Sequence, residues 1–235
     1  MEGSKGMELK QFIAQIRFQT IQPDTPSAQR SQREEIENTL LPAGCSHFAE
    51  RIAPLEALPR MSSFALTAIL GFALQKLPAG QIYLNIGVWH GYSLLAAILL
   101  SPQSRCVGVD NFSEFGGPRQ EFLQRFRQLQ GRGHSFYDLD YRDYFKRYQR
   151  TPIGLYFYDG FHAYADQREA LELAHPWLAP GAIILIDDTN TVDPRQASLD
   201  FLEAYPEYTL LADLRTCGHQ HPTFWNGLMV LRKDA

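Results

Sequence analysis

Two apolar runs end in aspartate: Ile153 to Tyr158 delivers Asp159, and Ala182 to Ile186 delivers Asp187 and Asp188. Between them Ala163 to Leu178 has a helical pattern, so the unit is strand, helix, strand. That connection makes the two strands parallel and most often neighbours about 4.8 Å apart. Three carboxylates at adjacent strand ends repel one another unless a cation, a proton or an arginine sits among them. A hard divalent ion such as magnesium answers that charge, because it takes oxygen ligands and keeps positions for water or substrate. His162, with an ordinary pKa of about 6.5, is suited to accept a proton near neutrality; as plain structure it is a helix cap or an exposed side chain. Successive strand residues point to opposite faces, so Asp187 and Asp188 both reach one ion only if the chain turns between them.

A second constellation lies upstream. The run Ile82 to Ile86 leads into Gly87-Val88-Trp89-His90-Gly91-Tyr92-Ser93 and a helix over Leu94 to Leu100. Glycine there lets the backbone turn sharply and approach a ligand closely. The spacing is G-x-x-x-G rather than G-x-G-x-x-G, so the usual pyrophosphate cradle is missing. Asp110 closes the next strand, at the height where a carboxylate accepts both hydroxyls of a ribose; the bland alternatives are a solvated loop aspartate or a helix cap.

These residues need a frame to hold them. Strands are expected at Ile82 to Ile86, Cys106 to Val109, Ser135 to Leu139, Ile153 to Tyr158 and Ala182 to Ile186, joined by helices such as Glu121 to Gln130. That is an open, doubly wound, mostly parallel α/β sheet. A helix over Pro194 to Tyr205 and an antiparallel hairpin, Tyr208 to Leu214 with Phe224 to Leu231, complete it. The first third is helical: residues 8 to 19, a helix opened by the capping box of Ser31 and Glu34, His47 to Leu58 with a break near Pro54, and Ser62 to Leu77. A polar stretch from Gln22 to Arg30 separates the first two. The division is residues 1–80 as a helical lid or oligomerisation segment and 81–235 as the main domain.

From Gln81 to Lys233, about two thirds of the chain, the sequence resembles the class I S-adenosylmethionine-dependent methyltransferases. Asn85 to Ser93 matches their glycine motif and Asp110 their ribose acid. Asp159-Gly160-Phe161-His162 followed by Ile186-Asp187-Asp188 resembles, more narrowly, the macrocin-type O-methyltransferases of methyltransferase family 24. The resemblance implies a Rossmann-like seven-stranded sheet, S-adenosylmethionine held around Asn85, Gly87, Gly91, Ser93 and Asp110, magnesium on Asp159, Asp187 and Asp188, and His162 as base. Asp140 is the best candidate among Asp138, Asp140 and Asp143 for an adenine-side contact, with a solvated loop as the favoured bland alternative. One departure stands out: the family's acid at the head of the glycine motif is Asn85 here, which lacks the charge that helps hold the region around the methionine ammonium.

Aromatic faces attract cations, so Trp89, Tyr92 and Phe115 are candidates to wall the adenine or sulfonium, with ordinary packing as the alternative. His219, His221 and Trp225 are placed to touch the acceptor. The expected activity is methyl transfer to a hydroxyl of a small molecule, either a natural-product sugar or a catechol-like ring. The rivals are a metal-free methyltransferase and a noncatalytic cofactor-binding or interaction protein, the latter motivated by Asn85.

Composition bounds the partners. The 235 residues carry a net charge of −4 and are 45% hydrophobic, enough for one large domain and without the basic footprint of a nucleic-acid binder. The longest apolar stretch, Phe64 to Leu74, is too short to span a bilayer. Met1 to Met7 lacks the apolar core of a signal peptide. Three cysteines at long spacing argue against a disulfide framework or zinc cage. A cytoplasmic protein with a small-molecule partner, and the option of a homo-oligomer through its N-terminal helices, is expected.

Overall fold

In the run Ile-Tyr-Leu-Asn-Ile at 82–86 every side chain is buried, which requires a parallel sheet covered on both faces. The computed structural model describes residues 6–26 and 29–234; Met1 to Lys5, and Ser27 and Ala28 of the polar stretch, lie outside the described residues. Ahead of the run come α1 (Leu9–Gln15), β1 (Arg17–Phe18), α2 (Gln32–Asn38), β2 (Thr39–Leu40), α3 (His47–Ile52) and α4 (Phe64–Leu74). The run is β3 (Ile82–Ile86), followed by α5 (Tyr92–Leu100), β4 (Arg105–Asp110), α6 (Arg119–Leu129), β5 (His134–Asp138) and α7 (Tyr141–Arg147). Then come β6 (Ile153–Tyr158), α8 (Tyr164–Ala174), β7 (Leu178–Ile186), α9 (Val192–Ala204), β8 (Tyr208–Leu214) and β9 (Leu228–Lys233).

Seven strands form one sheet in the order β5-β4-β3-β6-β7-β9-β8. The first five are parallel, and β9 runs antiparallel between β7 and β8. This is the expected Rossmann-like architecture. The chain leaves β3 toward β4 and β5, then returns to the other side of β3 as β6. Ligands of such sheets bind in the crevice outside the strand ends at that switch point.

One apolar layer joins α1, α3, α4 and α5 to one sheet face, and a second joins α7, α8 and α9 to the other. Each residue of α4 is buried, which explains its apolar run without a membrane; among the described residues no helix is long and apolar enough to cross one. Phe12 of α1 stacks on Phe72 of α4 at 4.2 Å, so the amphipathic face at the front of the chain is covered within the chain itself.

Several boundaries differ from expectation. The first helix ends at Gln15 rather than 19, because Arg17 and Phe18 pair with Leu40 and Thr39. The helix after Asp159 stops at Ala174; Pro176 lies in a 3-10 turn, and Leu178 already belongs to β7. The last two strands are joined by the long segment 215–227, and β9 starts at Leu228 rather than Phe224. Helix α7 is unanticipated.

Candidate active site

At the carboxyl ends of β3, β4, β6 and β7 lies a cleft of about 370 Å³. Gly87, Asp110, Asp140, Asp159, His162, Asp187 and Asp188 all line it, as do Trp89 and Phe115 of the expected aromatic wall and Trp225 of the expected acceptor contacts. Tyr92 does not; its ring is buried in the core.

The glycine loop is held by the protein's own groups. Gly87 has φ +79°, and a Cβ there would fall 1.8 Å from the carbonyl oxygen of Asp159. The close approach expected toward a ligand is therefore first an approach between the ends of β3 and β6. Gly91 has φ +97° and packs against Phe122. Asp110 accepts hydrogen bonds from the amides of Val88 and Trp89 at 2.6 and 2.8 Å, and from that of Phe112 at 2.7 Å. A carboxylate has about four acceptor positions, so most of Asp110's capacity already orders the loop that a ribose would approach.

Asn85 is fully buried and outside the cleft lining. Its amide donates to the carbonyl of Gly87 at 2.9 Å, and its oxygen accepts from Ser93 Oγ at 2.7 Å. The departure from the family's acid thus has a local cause: an amide donates to Gly87 O, whereas an ionised carboxylate only accepts. Asn85 and Ser93 brace the loop from beneath.

Asp140 is the N-cap of α7, accepting from the amide of Arg142 at 2.8 Å while it faces the cleft. Asp138 pairs with Arg119 instead. Arg142, which sequence reasoning missed, lines the cleft and meets Asp166 at 2.6 Å and Glu169 at 2.7 Å.

The acidic end is built by backbone geometry. Asp188 has φ +57°, a left-handed conformation costing about 1–2 kcal/mol for a residue with a Cβ. The turn that both aspartates require therefore exists. Thr191 holds it by donating to the Asp188 carbonyl through its amide (3.0 Å) and hydroxyl (2.7 Å), and Asn226 Nδ2 donates to Asp188 Oδ1 at 2.8 Å. Asn226 comes from the segment before β9, and only a long-range contact reveals it.

Burial, together with the charges of Asp159 and Asp188, pushes the Asp187 carboxyl well above the usual carboxylate range; Asp159, burial again leading, is pushed up to about 6. His162 Nε2 stands 3.6 Å from Asp159 and 3.5 Å from Asp188. Burial opposes charge on this ring, but the neighbouring carboxylates outweigh it and raise its pKa.

Among the described residues no group of three or more His, Cys, Asp or Glu stands in metal-holding geometry. The donors nonetheless fit a hard cation in kind: three carboxylates converge, and Asp187 Oδ1 is buried without a partner. The histidines near the C-terminus do not gather. His221 bonds the carbonyl of Thr25 at 2.8 Å and Thr223 Oγ1 at 2.7 Å, and His219 is exposed.

Residues 84–189 match the family model described as a methyltransferase domain, and no curated protein matches the chain. Among solved structures, the chain is similar to an O-methyltransferase from Bacillus cereus in complex with S-adenosylhomocysteine. Identity is 18%, TM-score 0.59, with 86% of this chain and 96% of that chain covered. It is similar to the O-methyltransferase of tomaymycin synthesis from Streptomyces achromogenes, in complex with S-adenosylmethionine, at 17% identity, TM-score 0.54 and coverages of 82% and 90%. A Corynebacterium glutamicum protein gives 16%, 0.59, 86% and 95%. These likenesses establish the fold. The matched family model marks residues 84–189 as similar to a methyltransferase domain.

Proposed function

We propose that the chain transfers a methyl group from S-adenosylmethionine to a hydroxyl of a small molecule, with a divalent cation such as magnesium at Asp159, Asp187 and Asp188. The observation that carries this reading is the meeting of two constellations in one cleft: the Asp110-braced glycine loop and the acidic group with His162. The first suits a nucleoside with a cationic sulfonium. The second suits an oxygen nucleophile that must lose a proton.

Methyl transfer is an in-line displacement, so positioning is worth several kcal/mol. A cation bound by the three aspartates would lower the acceptor hydroxyl's pKa and orient it. His162 Nε2, 3.6 Å from Asp159 and 3.5 Å from Asp188, is the group placed to take the hydroxyl proton. Asn226 and Thr191 keep Asp188 turned inward, and Trp225 and Met61 narrow the acceptor side. Met61 belongs to residues 1–80, which supports the lid reading of that segment. A natural-product sugar or a catechol-like ring suits the space.

Calorimetric titration of magnesium into the protein saturated with S-adenosylhomocysteine tests the metal. Heat of binding that vanishes in Asp159→Asn and Asp188→Asn is expected. Absence of any magnesium binding in the wild type would leave the metal-free enzyme as the surviving reading.

A further inference from the structure

The cleft's charge is lopsided. Besides Asp159, Asp187 and Asp188 it is lined by Asp110, Glu114, Asp140 and Asp166, whereas Arg142 is the only Lys or Arg in the described lining. Arg142 is already matched by Asp166, Glu169 and Asp140. A bound divalent cation and a singly positive cofactor still leave the carboxylates in excess. Asp187 Oδ1, in a side chain almost wholly buried, has no partner and faces this same space.

Glu114 differs from the other six acids. Asp110 is held by three amides, Asp140 and Asp166 meet Arg142, and the remaining three form the group around His162. Among the described residues the Glu114 side chain has no hydrogen bond or ion pair, and it lines the same cleft as His162. Its loop is not free: Gly117 donates to the Glu114 carbonyl at 3.0 Å, and Trp89 Nε1 donates to the carbonyl of Phe115 at 3.1 Å. Two rings that line the cleft, Phe115 and Phe161, are largely exposed and offer apolar contact beside that carboxylate.

Resting on the methyltransferase reading, we propose that the acceptor is a hydroxyl compound that is neutral or carries an amine. Acceptors bearing carboxylate or phosphate are turned away, and Glu114 is the residue that sets this preference. A carboxylate lined up beside other carboxylates repels an incoming anion; Glu114 is exposed, so the effect is screened by solvent and on the order of tenfold in affinity.

The test is calorimetric titration of the protein loaded with S-adenosylhomocysteine and magnesium, using two pairs matched in size. Dopamine is compared with 3,4-dihydroxyphenylacetate, and glucosamine with glucuronate. In at least one pair the amine should bind about tenfold more tightly or better, the scale of one charge contact at the cleft's dielectric. Glu114→Gln should shrink that gap severalfold while leaving S-adenosylhomocysteine affinity unchanged, and Glu114→Lys should reverse the preference. Equal or tighter binding of the carboxylate, no binding by either pair, or a gap indifferent to both Glu114 variants overturns the inference. In those cases retained binding of S-adenosylhomocysteine leaves the methyltransferase reading standing; failure of S-adenosylhomocysteine to bind removes both.

Discussion

At the scale of single residues, the two candidate cofactor-site residues Asp110 and Asn85 carry different work. Asp110 holds three loop amides, so Asp110→Ala should weaken S-adenosylhomocysteine binding by about 1.5–3 kcal/mol, the scale of hydrogen bonds to a charged group. It should also speed amide exchange at Val88 and Trp89, which hydrogen-exchange mass spectrometry reads directly. Unchanged affinity with unchanged exchange would remove Asp110 from the site. Asn85 gives a less intuitive expectation. Restoring the family's acid with Asn85→Asp replaces the donor to Gly87 O by an acceptor, which should cost about 1–3 kcal/mol of stability in urea unfolding. A variant at least as stable as the wild type would contradict the brace. In the acidic group, Asp187→Asn removes one of a crowded pair. Its melting temperature without metal should equal or exceed that of the wild type, because burial, with the charges of Asp159 and Asp188, disfavours an ionised carboxylate there and a neutral amide removes that cost.

At the scale of elements, the site is a property of the β3–β6 junction. Gly87→Ala places a Cβ on the Asp159 carbonyl in a left-handed conformation, so it should force the two strand ends apart. Soluble but cofactor-blind protein with a lower melting temperature is the expected phenotype, by calorimetry and thermal unfolding; a variant of normal affinity would show that the junction yields. The sheet strands were legible because a doubly covered sheet demands uninterrupted apolar runs, as in β3 and β6. Helix α7 was not, since its seven residues are all charged or aromatic, and its cap, Asp140, reads in sequence as a ligand contact or a solvated loop residue rather than a helix start. The β1–β2 pair is two residues per strand, too short for any period to register. Asp110, Asp159, His162, Asp187 and Asp188 announced themselves by standing just past apolar runs. Glu114, Arg142 and Asn226 did not, because their places depend on loops and on contacts distant in sequence. The turn at Asp188 follows from the bonds of Thr191 and Asn226, which no local pattern encodes.

At the scale of the whole molecule, the helical front is tied together by a buried ion pair and reaches the cleft through the residue beside it. Glu35, wholly buried, meets Arg60 at 3.1 Å and accepts from the amide of Phe64 at 3.0 Å, and Met61, next to Arg60, reaches the cleft. Burial outweighs both partners and pushes the Glu35 carboxyl up to about 7. Because this pKa lies above its ordinary value, the stability it contributes is complete below about pH 4.5 and is lost as pH rises through 7. Urea unfolding should therefore show a decline of up to about 3 kcal/mol across that window from this group, flattened in Glu35→Gln; an identical pH slope in the variant would contradict the assignment. The proposed function places a nucleoside site beside an acidic, proton-accepting site in one cleft. Its most direct test is calorimetric titration of the full chain with S-adenosylhomocysteine: saturable binding at one site per chain, weakened in Asp110→Ala, is predicted, and the absence of binding by folded wild-type protein at millimolar ligand would contradict the account.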